Sequence, residues 1–403
     1  MNQLLGCIYT VLFACAVWLF VLCSVLFIEC MVALLPIPRI NTYYRQDIKD
    51  VEFTVLIPAH NEEVVIGSTL ENLKLKLNSL HRVVVVADNC TDNTAEIART
   101  AGATVIERHE PNLRGKGYAL DYGLCFLESH PPDVVVFLDA DCQVSENAIE
   151  QLIQKAITTG RPVQATYLMA QPSNSTAKQS VSAFAFRVKN QVRLLGLAKL
   201  GMPCLLTGTG MAFPFAVIRS VNLASGSIVE DMKLGIDLSI AGYPPLFCPQ
   251  AQIEGILPQQ TKAVKSQRKR WEHGHLNTLL TYVPTLFKES VQQKRFDLLV
   301  SAIDLCVPPL SLFVLIWFSA LVFSLISAIF TATWLPLITI IAGGCLFFAS
   351  VIAAWTKFGR TDLPLLELLA IPFYIMKKIP IYFQFLAQPQ NTWIRTERDS
   401  INM

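Results

Sequence analysis

Three long apolar stretches constrain the fold of this chain more strongly than any other feature of its sequence. They cover residues 4–35, 309–330 and 334–355, and the first contains only one charged residue, Glu29. Each stretch is long enough to cross the hydrocarbon core of a bilayer as a helix. With 52% hydrophobic and 16% charged residues, the chain is also too apolar for an ordinary soluble protein. We therefore predict a membrane protein with three spans.

The charged residues concentrate between the first and second stretches, so the sequence divides into membrane parts and a globular part. The predicted segments are an N-terminal transmembrane helix over residues 1–37, a globular domain over 50–295, two transmembrane helices over 296–360, and interfacial amphipathic helices with a C-terminal tail over 361–403. The last segment is apolar but is broken by prolines and by the pair Lys377 and Lys378. Such interruptions favour helices in the membrane interface, and a fourth span is the alternative.

Basic residues near the ends of the stretches predict how the protein is oriented in the membrane. No Lys or Arg precedes the first stretch, whereas Arg39, Arg45 and Lys49 follow it. The basic residues that flank the other stretches lie on the same side: Lys288, Lys294, Arg295, Lys357 and Arg360. We therefore predict an inner-membrane protein with a cytoplasmic central domain and C-terminus and an external N-terminus. A cleaved signal peptide is the alternative for the first stretch, although that stretch lacks a basic n-region and is too long for a signal-peptide core.

The composition also argues against several classes of protein and site. A net charge of +2, without a basic stripe that carries interleaved aromatic residues, argues against nucleic acid as a partner. The eleven cysteines form no C-x-x-C pair, so we expect reduced packing residues rather than disulfides or a zinc site. The G-x-G at residues 115–117 lacks the spacing of a dinucleotide-binding loop, and no P-loop sequence occurs.

Within the central domain, short runs of β-branched residues alternate with segments of helical pattern. The predicted elements are strands over residues 53–58, 82–87, 104–107 and 134–138, separated by helices over about 63–77, 91–101 and 115–128. This alternation is typical of an open α/β sheet of Rossmann-like character. Ligands of such sheets bind beyond the carboxyl ends of the strands. Because Asn61, Asp88 and Asp139 each follow a strand, we expect one crevice to collect them.

Beyond Asp141 the pattern is less regular. The predicted elements are a strand over residues 164–169, a helix over 176–197, a turn leading into a strand over 207–213, a helix over 231–241 and a loop over 255–260. In an amphipathic helix after that loop, Gln267, Arg270 and Trp271 would lie on one face, because their spacing is i, i+3 and i+4.

Four motifs with complementary chemistry follow one another along the chain. They are Asp88, the pair Asp139 and Asp141, the pair Glu230 and Asp231, and the cationic and aromatic cluster at residues 267–271. Carboxylates can hold a divalent cation that bridges two phosphates, and cations can offset the charge of a departing diphosphate. Each motif also has an ordinary structural interpretation. Asp88 could form an Asx-turn, and the pair Asp139 and Asp141 could be solvated acids at a strand end. The pair Glu230 and Asp231 could cap a helix, and residues 267–271 could belong to a basic helix that binds anionic membrane lipid.

The order and local sequence of these motifs resemble the family 2 glycosyltransferases, particularly the membrane-embedded branch that includes cellulose, hyaluronan and poly-N-acetylglucosamine synthases. The resemblance covers roughly residues 51–275 and extends to the membrane layout. It implies an α/β, Rossmann-like GT-A domain for nucleotide-diphospho-sugar transfer, inserted between transmembrane helices. It also implies an inverting enzyme that uses a nucleotide sugar, with UDP as the expected nucleotide, and Mg²⁺ or Mn²⁺.

The resemblance assigns several residues to the nucleotide sugar. Pro58, Ala59 and Glu62 match the family's first-strand motif, in which Ala59 and Glu62 would border the nucleoside. Asp88 matches the carboxylate that accepts a hydrogen bond from the uracil N3–H. Lys116 would lie near the diphosphate at the start of a helix, and the alternative is a cation in a solvated helix cap.

Other assignments concern the metal and the transfer step. Asp141 matches the direct metal ligand of the family's D-x-D motif, and Asp139 would contact the ribose or support the metal. Glu230 and Asp231 match the family's E-D pair, in which Asp231 is the candidate base that deprotonates the acceptor hydroxyl. Residues 207–210 resemble the segment that shapes the acceptor pocket, but small residues there would equally suit a tight turn.

The cluster at residues 267–271 matches the family's Q-x-x-R-W motif at the acceptor or the diphosphate. By resemblance, Gln267 belongs to this site, Arg270 would stabilise the departing diphosphate, and Trp271 would stack on the acceptor sugar. The nearby His273 and His275 lack the spacing of a helical zinc pair, so we assign them no metal.

The expected product is a β-linked cell-surface or exopolysaccharide glycan, with polysaccharide export or polymerisation proteins as partners. Three spans form only a thin channel, so addition of one sugar to a lipid-linked acceptor is the alternative. A catalytically silent scaffold that binds nucleotide or lipid is an alternative of another class, disfavoured because Asp141, Asp231 and Arg270 are all present. A transporter is disfavoured because no span shows a polar pathway beyond Glu29 and Asp304.

Overall fold

The computed structural model of the 403-residue chain describes residues 2–36, 50–77, 79–171, 176–224, 229–256 and 261–388. Three basic residues that support the predicted orientation, Arg39, Arg45 and Lys49, lie outside these ranges, as does the C-terminal tail. The loop predicted over 255–260 lies partly outside them.

One long apolar helix precedes a regular alternation of strands and helices. In chain order the elements are α1 (Asn2–Leu34), β1 (Phe53–Ala59), α2 (Ile66–Leu77), β2 (Val83–Asp88), α3 (Thr94–Ala101), β3 (Thr104–Arg108), α4 (Lys116–Leu127), β4 (Val134–Phe137), β5 (Cys142–Val144), α5 (Ala148–Thr159) and β6 (Val163–Ala170). The elements predicted from the β-branched runs therefore occur in the predicted order.

Helices dominate the rest of the chain. The elements are α6 (Ala177–Arg187), a π-helix (Val188–Arg193), α7 (Leu194–Lys199), β7 (Met211–Pro214), α8 (Phe215–Ile218), α9 (Glu230–Ile240), β8 (Leu246–Ile256), α10 (Thr261–Gln292), α11 (Phe296–Cys306), α12 (Leu310–Thr331), α13 (Leu335–Ala354), a second π-helix (Trp355–Gly359), a 3-10 helix (Leu365–Ala370), α14 (Ile371–Met376) and α15 (Ile379–Ala387).

An eight-stranded mixed sheet forms the centre of the globular part, in the order β3-β2-β1-β4-β7-β6-β8-β5. Strands β3, β2, β1 and β4 run parallel. Strand β7 runs antiparallel to both of its neighbours, and β5 runs antiparallel to β8. The predicted α/β sheet is confirmed, and its parallel part is the half that the sequence pattern describes best.

Helices cover both faces of this sheet. On one face, α2 and α5 contribute Leu70 and Ile153 to a buried apolar cluster with the strands. On the opposite face, α4 and α9 contribute Leu124 and Leu238 to a second cluster. Since the central strands are buried on two faces, their side chains are apolar at consecutive positions, which explains the continuous runs in the sequence.

The structure corrects the predicted element boundaries in three places. Gly255 and Ile256 belong to β8 rather than to a loop, because Gly255 pairs with β5 on one side and β6 on the other. Helix α2 begins at Ile66 rather than near Glu63, after a turn closed by the carbonyl of Glu62. The helix predicted over 176–197 is interrupted by the π-helix and continues to Lys199.

Among the described residues, three helices are long and apolar enough to cross a membrane. They cover Tyr9–Leu34, Leu310–Thr331 and Leu335–Gly359, in agreement with the three predicted stretches. The shorter α14 and α15 follow them in the segment predicted to contain interfacial helices. Helix α11, which the sequence analysis does not separate from the next span, ends before Pro308 and Pro309.

Buried ion pairs connect the first membrane helix to the globular part. Arg193 of the first π-helix donates a hydrogen bond to Glu29 Oε2 at 2.7 Å and pairs with the carboxylate of Asp304 in α11. Helix α7 crosses α1 so closely that a Cβ atom on Gly196 would lie 2.1 Å from the carbonyl oxygen of Glu29. Position 196 therefore accepts only glycine without movement of the α1 backbone.

We expect Gly196→Ala to destabilise the protein, because the added methyl group must displace a backbone atom rather than a flexible side chain. Overpacking of this kind typically costs about 1–3 kcal/mol. Thermal unfolding of the full chain in detergent measures the effect. Gly67→Ala is the matched control, because its Cβ would meet Ile97 at an ordinary 3.6 Å. Equal melting temperatures of the two variants would contradict the close crossing.

Candidate active site

A cavity of about 550 Å³ lies at the carboxyl edge of the parallel strands and extends to α10 and the membrane helices. The residues that the resemblance assigns to the donor, the metal, the transfer step and the 267–271 motif line this cavity: Pro58, Ala59, Glu62, Asp88, Lys116, Asp139, Asp141, Glu230, Asp231, Gln267, Arg270 and Trp271. Asn61, which is expected in the same crevice as Asp88 and Asp139, is not among the lining residues. The structure thus brings together residues from distant parts of the chain, while the role of each one stays a prediction.

Asp88, the last residue of β2, has a fixed and almost completely buried carboxylate. Its Oδ1 accepts hydrogen bonds from Arg108 Nη1 at 2.6 Å and from Asn89 Nδ2 at 2.9 Å. Arg108 lies directly opposite Asp88 in the register of β2 and β3. The sequence analysis misses Arg108, because only the strand register places it beside Asp88.

The turn after β1 is held by the first residue of α3 and by the segment just before it. Asn61 has a positive φ of 54°, and its side-chain oxygen accepts a hydrogen bond from the Thr91 N–H at 2.7 Å. The N–H of Glu62 donates to Thr94 Oγ1 at 2.8 Å. These contacts position Ala59 and Glu62 in the wall of the cavity that also contains Asp88.

Asp139 follows β4 and is held from two directions. Its N–H donates to Thr209 Oγ1 at 3.0 Å, and its carboxylate pairs with the ammonium of Lys116 at the start of α4. Lys116 also donates to the carbonyl oxygen of Gly208 at 2.7 Å and lies 3.9 Å from Glu230. Lys116 therefore connects the acidic pair after β4 to the acidic pair that begins α9.

Asp139, Asp141 and Cys142 form the candidate metal centre, with potential ligand atoms within 4.8 Å of one another. Carboxylate oxygens are the ligands that Mg²⁺ and Mn²⁺ prefer. A thiol is a softer ligand than these cations prefer, and burial raises the pKa of the Cys142 thiol well above its ordinary value. The donor set therefore fits a hard divalent cation held by the two carboxylates.

Glu230 and Asp231 are the first two residues of α9, and both are partly buried in the wall of the cavity. Burial raises the pKa of Glu230 to about 7, with a further increase from Asp231 and an opposing effect of Lys116. Burial also raises the pKa of Asp231. Gly208, with a φ of +99°, leaves space beside Asp231, since a Cβ there would lie 3.3 Å from Asp231 Oδ2. A carboxylate with a raised pKa beside open space can accept a proton from a bound hydroxyl.

Helix α10 connects the site to the C-terminal helices. The ring of Trp271 packs on Phe186 of α6, with ring centres 5.4 Å apart. The neighbouring Glu272 pairs with Lys378, and its Oε2 accepts a hydrogen bond from the Tyr382 hydroxyl at 3.1 Å. The Tyr382 hydroxyl in turn lies 2.7 Å from Ser311 Oγ at the start of α12. The sequence analysis does not predict this buried network, because the residues that form it are far apart along the chain.

The cavity does not end at the charged residues. Its lining continues along apolar side chains of α12 and α13: Val314, Phe347, Phe348, Val351 and Ile352. Phe348 and Ile352 are 44% and 58% exposed, although both belong to a candidate membrane span. One end of the cavity is therefore charged, and the other borders the apolar surface of the membrane helices.

Comparison with known proteins relates this geometry to a family. Residues 51–274, more than half of the chain, match the family described as Glycosyltransferase like family 2. A probable glycosyltransferase of Bacillus subtilis (strain 168), YdaM, is 28% identical over 270 residues, which cover 63% of each chain. A poly-beta-1,6-N-acetyl-D-glucosamine synthase of Staphylococcus aureus (strain COL) is 25% identical over 259 residues, which cover 61% of this chain and 59% of the synthase. The chain thus matches less than two thirds of the length of either relative.

A solved structure shows the same fold. The mannosyltransferase PcManGT from Pyrobaculum calidifontis, in complex with GDP-Man and Mn²⁺, aligns with a TM-score of 0.52 at 17% identity. The alignment covers 86% of this chain and 98% of the mannosyltransferase. The central domain therefore has the GT-A fold, flanked by three candidate membrane helices. With the family match across residues 51–274, the chain belongs to the glycosyltransferase-like family 2.

Proposed function

We propose that this protein is an inverting, metal-dependent glycosyltransferase that moves a sugar from a nucleotide sugar, with UDP as the expected nucleotide, to a glycan or lipid-linked acceptor. The observation that carries the proposal is the convergence of carboxylates and cations from distant segments on one cavity at the carboxyl edge of the sheet. A scaffold that only bound nucleotide would not require Asp231 and Arg270 in the wall of the same cavity as the acidic pair after β4.

The donor half of the reaction uses the residues around the parallel strands. Asp88 would accept a hydrogen bond from the base, and Asp139 and Asp141 would hold Mg²⁺ or Mn²⁺. When bound, such a cation offsets the negative charge that develops on the diphosphate. Burial disfavours the charge on Lys116, but Asp139, Glu230 and Asp231 outweigh this effect and raise its pKa. Lys116 therefore stays charged, and we expect it to exchange Asp139 for a phosphate oxygen when the nucleotide binds.

The transfer step uses the residues of α9 and α10. Asp231 takes the proton of the acceptor hydroxyl while the hydroxyl oxygen forms a bond to C1 of the donor sugar. The bond between C1 and the diphosphate oxygen breaks, and its electron pair leaves with the nucleoside diphosphate, whose charge Arg270 would stabilise. Attack on the face opposite the leaving group inverts the configuration at C1. Gln267 and Trp271, on the same wall, would contact the acceptor.

The membrane helices support a location for this reaction. We assign α1, α12 and α13 as spans of the inner membrane, with the central domain in the cytoplasm, the N-terminus outside, and α14 and α15 in the interface with membrane lipid. The apolar end of the cavity favours a lipid-linked acceptor as a second candidate beside a growing polysaccharide. A polysaccharide product would require export or polymerisation proteins as partners, because three spans enclose little space.

Asp141→Asn and Asp231→Asn should each abolish turnover of the donor, because the first removes a metal ligand and the second removes the base. Loss of a general base alone typically costs about 10²–10⁴-fold. The measurement is nucleoside diphosphate released by the purified full chain with Mn²⁺ or Mg²⁺ across a set of nucleotide sugars. Asp237→Asn on the same helix is the matched control, because Asp237 pairs with Lys233 and does not line the cavity. Unchanged turnover in both site variants would contradict the roles assigned to Asp141 and Asp231, whereas no turnover of any nucleotide sugar by the unmodified protein would favour the silent scaffold.

The rate should rise with pH towards neutrality, because Asp231 acts only when it is ionised and burial raises its pKa. The acidic limb of kcat/KM should therefore lie above the range of an ordinary aspartate. Asp231 raises the pKa of Glu230, and this repulsion between like charges is mutual. Glu230→Gln should thus move the acidic limb to lower pH, while a shift to higher pH would contradict the assignment of Asp231.

A further inference from the structure

Lys189 is a cation of the cavity that the donor half of the reaction does not use. It lies in the first π-helix, lines the cavity and is exposed to its interior. Among the described residues, none forms an ion pair or hydrogen bond with its ammonium group. Other cations of the cavity have such partners: Lys116 pairs with Asp139, Arg193 with Glu29 and Asp304, and Lys378 with Glu272.

Lys189 lies at the boundary between the two ends of the cavity. The nearby Val188 and Val192 belong to the same buried apolar cluster as Phe313 and Phe347 of the membrane helices. The Lys189 charge also interacts with the carboxylate of Asp231, the candidate base. A ligand held at Lys189 would therefore reach the site of transfer with one end and the apolar walls with the other.

The Lys189 ammonium group has acidic side chains in its surroundings, but none of the described residues donates or accepts a direct hydrogen bond with it. Lys189 is exposed to the cavity rather than packed in the core, yet the surrounding protein lowers the pKa of its ammonium group through partial desolvation. An anion bound beside it would offset that desolvation through a charge-assisted hydrogen bond. The adjacent Asn190 is 2% exposed and also lines the cavity, and its Oδ1 has no hydrogen-bond partner among the described residues. Asn190 can therefore accept a hydrogen bond from a ligand hydroxyl.

The apolar walls restrict what the anion is attached to. Phe348 and Ile352 offer no hydrogen bonds and border the surface that faces lipid. An uncharged sugar polymer in this space would lose its hydration without compensation and would offer the Lys189 ammonium group no anion to contact directly. A ligand with an apolar chain and an anionic head satisfies both parts of the cavity.

We propose that Lys189 binds the phosphate group of a lipid-linked acceptor whose apolar chain lies against α12, α13 and the C-terminal helices. This assignment rests on the proposed transfer reaction and specifies its acceptor. The phosphate positions the acceptor at the membrane end of the cavity, so that a hydroxyl of the sugar it carries lies at Asp231. Lys189 is thus an acceptor-binding residue, distinct from Lys116 and Arg270 on the donor side.

Equilibrium binding of farnesyl phosphate to the full chain in detergent tests the proposal. Quenching of tryptophan fluorescence is a suitable signal, because Trp271 and Trp355 line the cavity. Lys189→Met should weaken binding by about tenfold or more, since a charge-assisted hydrogen bond is lost, whereas Lys189→Arg should stay close to the unmodified protein. Farnesol, which lacks the phosphate, should bind weakly and equally to all three proteins.

The controls separate a lipid phosphate site from a general effect of surface charge and from binding of a free anion. Lys74→Met removes the same charge from an exposed position of α2 outside the cavity and should bind farnesyl phosphate normally. Equal affinity of Lys189→Met and the unmodified protein would overturn the proposal. Inorganic phosphate binding as tightly as farnesyl phosphate would also overturn it, because the site would then recognise a free anion. Melting temperatures of the variants show whether a loss of binding reflects unfolding.

Binding is measured without donor, so this result is independent of the transfer reaction. If Asp141→Asn and Asp231→Asn keep full turnover while Lys189→Met loses farnesyl phosphate, the transfer assignment fails and the lipid phosphate site stands. If the aspartate variants lose turnover and Lys189→Met binds normally, the transfer assignment stands and the lipid phosphate site fails.

Discussion

A buried guanidinium between two carboxylates joins the membrane part of this protein to its catalytic part. Arg193 contacts Glu29 of the first span and Asp304 of α11, and all three side chains are almost fully removed from solvent. Removal of one partner would leave an uncompensated charge in the interior, which costs far more than the loss of a surface pair. The π-helix that carries Arg193 is therefore fixed against α1. Since the same π-helix carries Lys189, one wall of the cavity is fixed as well.

A second buried network fixes the opposite wall. Glu272 follows Trp271 directly, and its contacts with Lys378 and Tyr382 attach α10 to the C-terminal helices and to α12. One side of α10 thus carries the residues assigned to the diphosphate and acceptor, while its other contacts belong to the membrane layer. The two networks attach the carboxyl edge of the sheet to the candidate membrane helices. The two walls of the cavity, with the residues proposed for the donor and for the acceptor, are therefore held in one arrangement.

Part of the cavity wall can be predicted well from the sequence, because two of its carboxylates follow strands that the local pattern reveals. Asp88 and Asp139 end β-branched runs, and parallel strands bring such ends to one edge. Arg108 cannot be found in this way, because its contact with Asp88 depends on the register of β2 and β3. The local pattern favours a loop at Gly255, since glycine is unfavourable in strands, yet pairing on both sides holds this residue in β8.

The acceptor half is less predictable for a physical reason. Lys189 lies in a segment with a helical pattern, but the segment forms a π-helix, which changes the direction of the side chains around it. The local sequence pattern does not predict a π-helix. The pair Glu272 and Lys378 is separated by 106 positions along the chain, so neither residue identifies the other. The local periodicity of a sequence predicts single helices and strands. The end of the cavity at Lys189 and Glu272 depends instead on contacts between helices that are far apart along the chain.

The position of Mn²⁺ in crystals of the full chain grown with UDP is the decisive measurement for a metal-dependent donor site, because anomalous scattering locates the metal independently of the protein atoms. We expect a peak at ligand distance from Asp141, with Asp88 contacting the uracil and Lys116 moved from Asp139 to a phosphate oxygen. A metal peak away from Asp139 and Asp141, or UDP bound outside this cavity, would contradict the proposed transfer site.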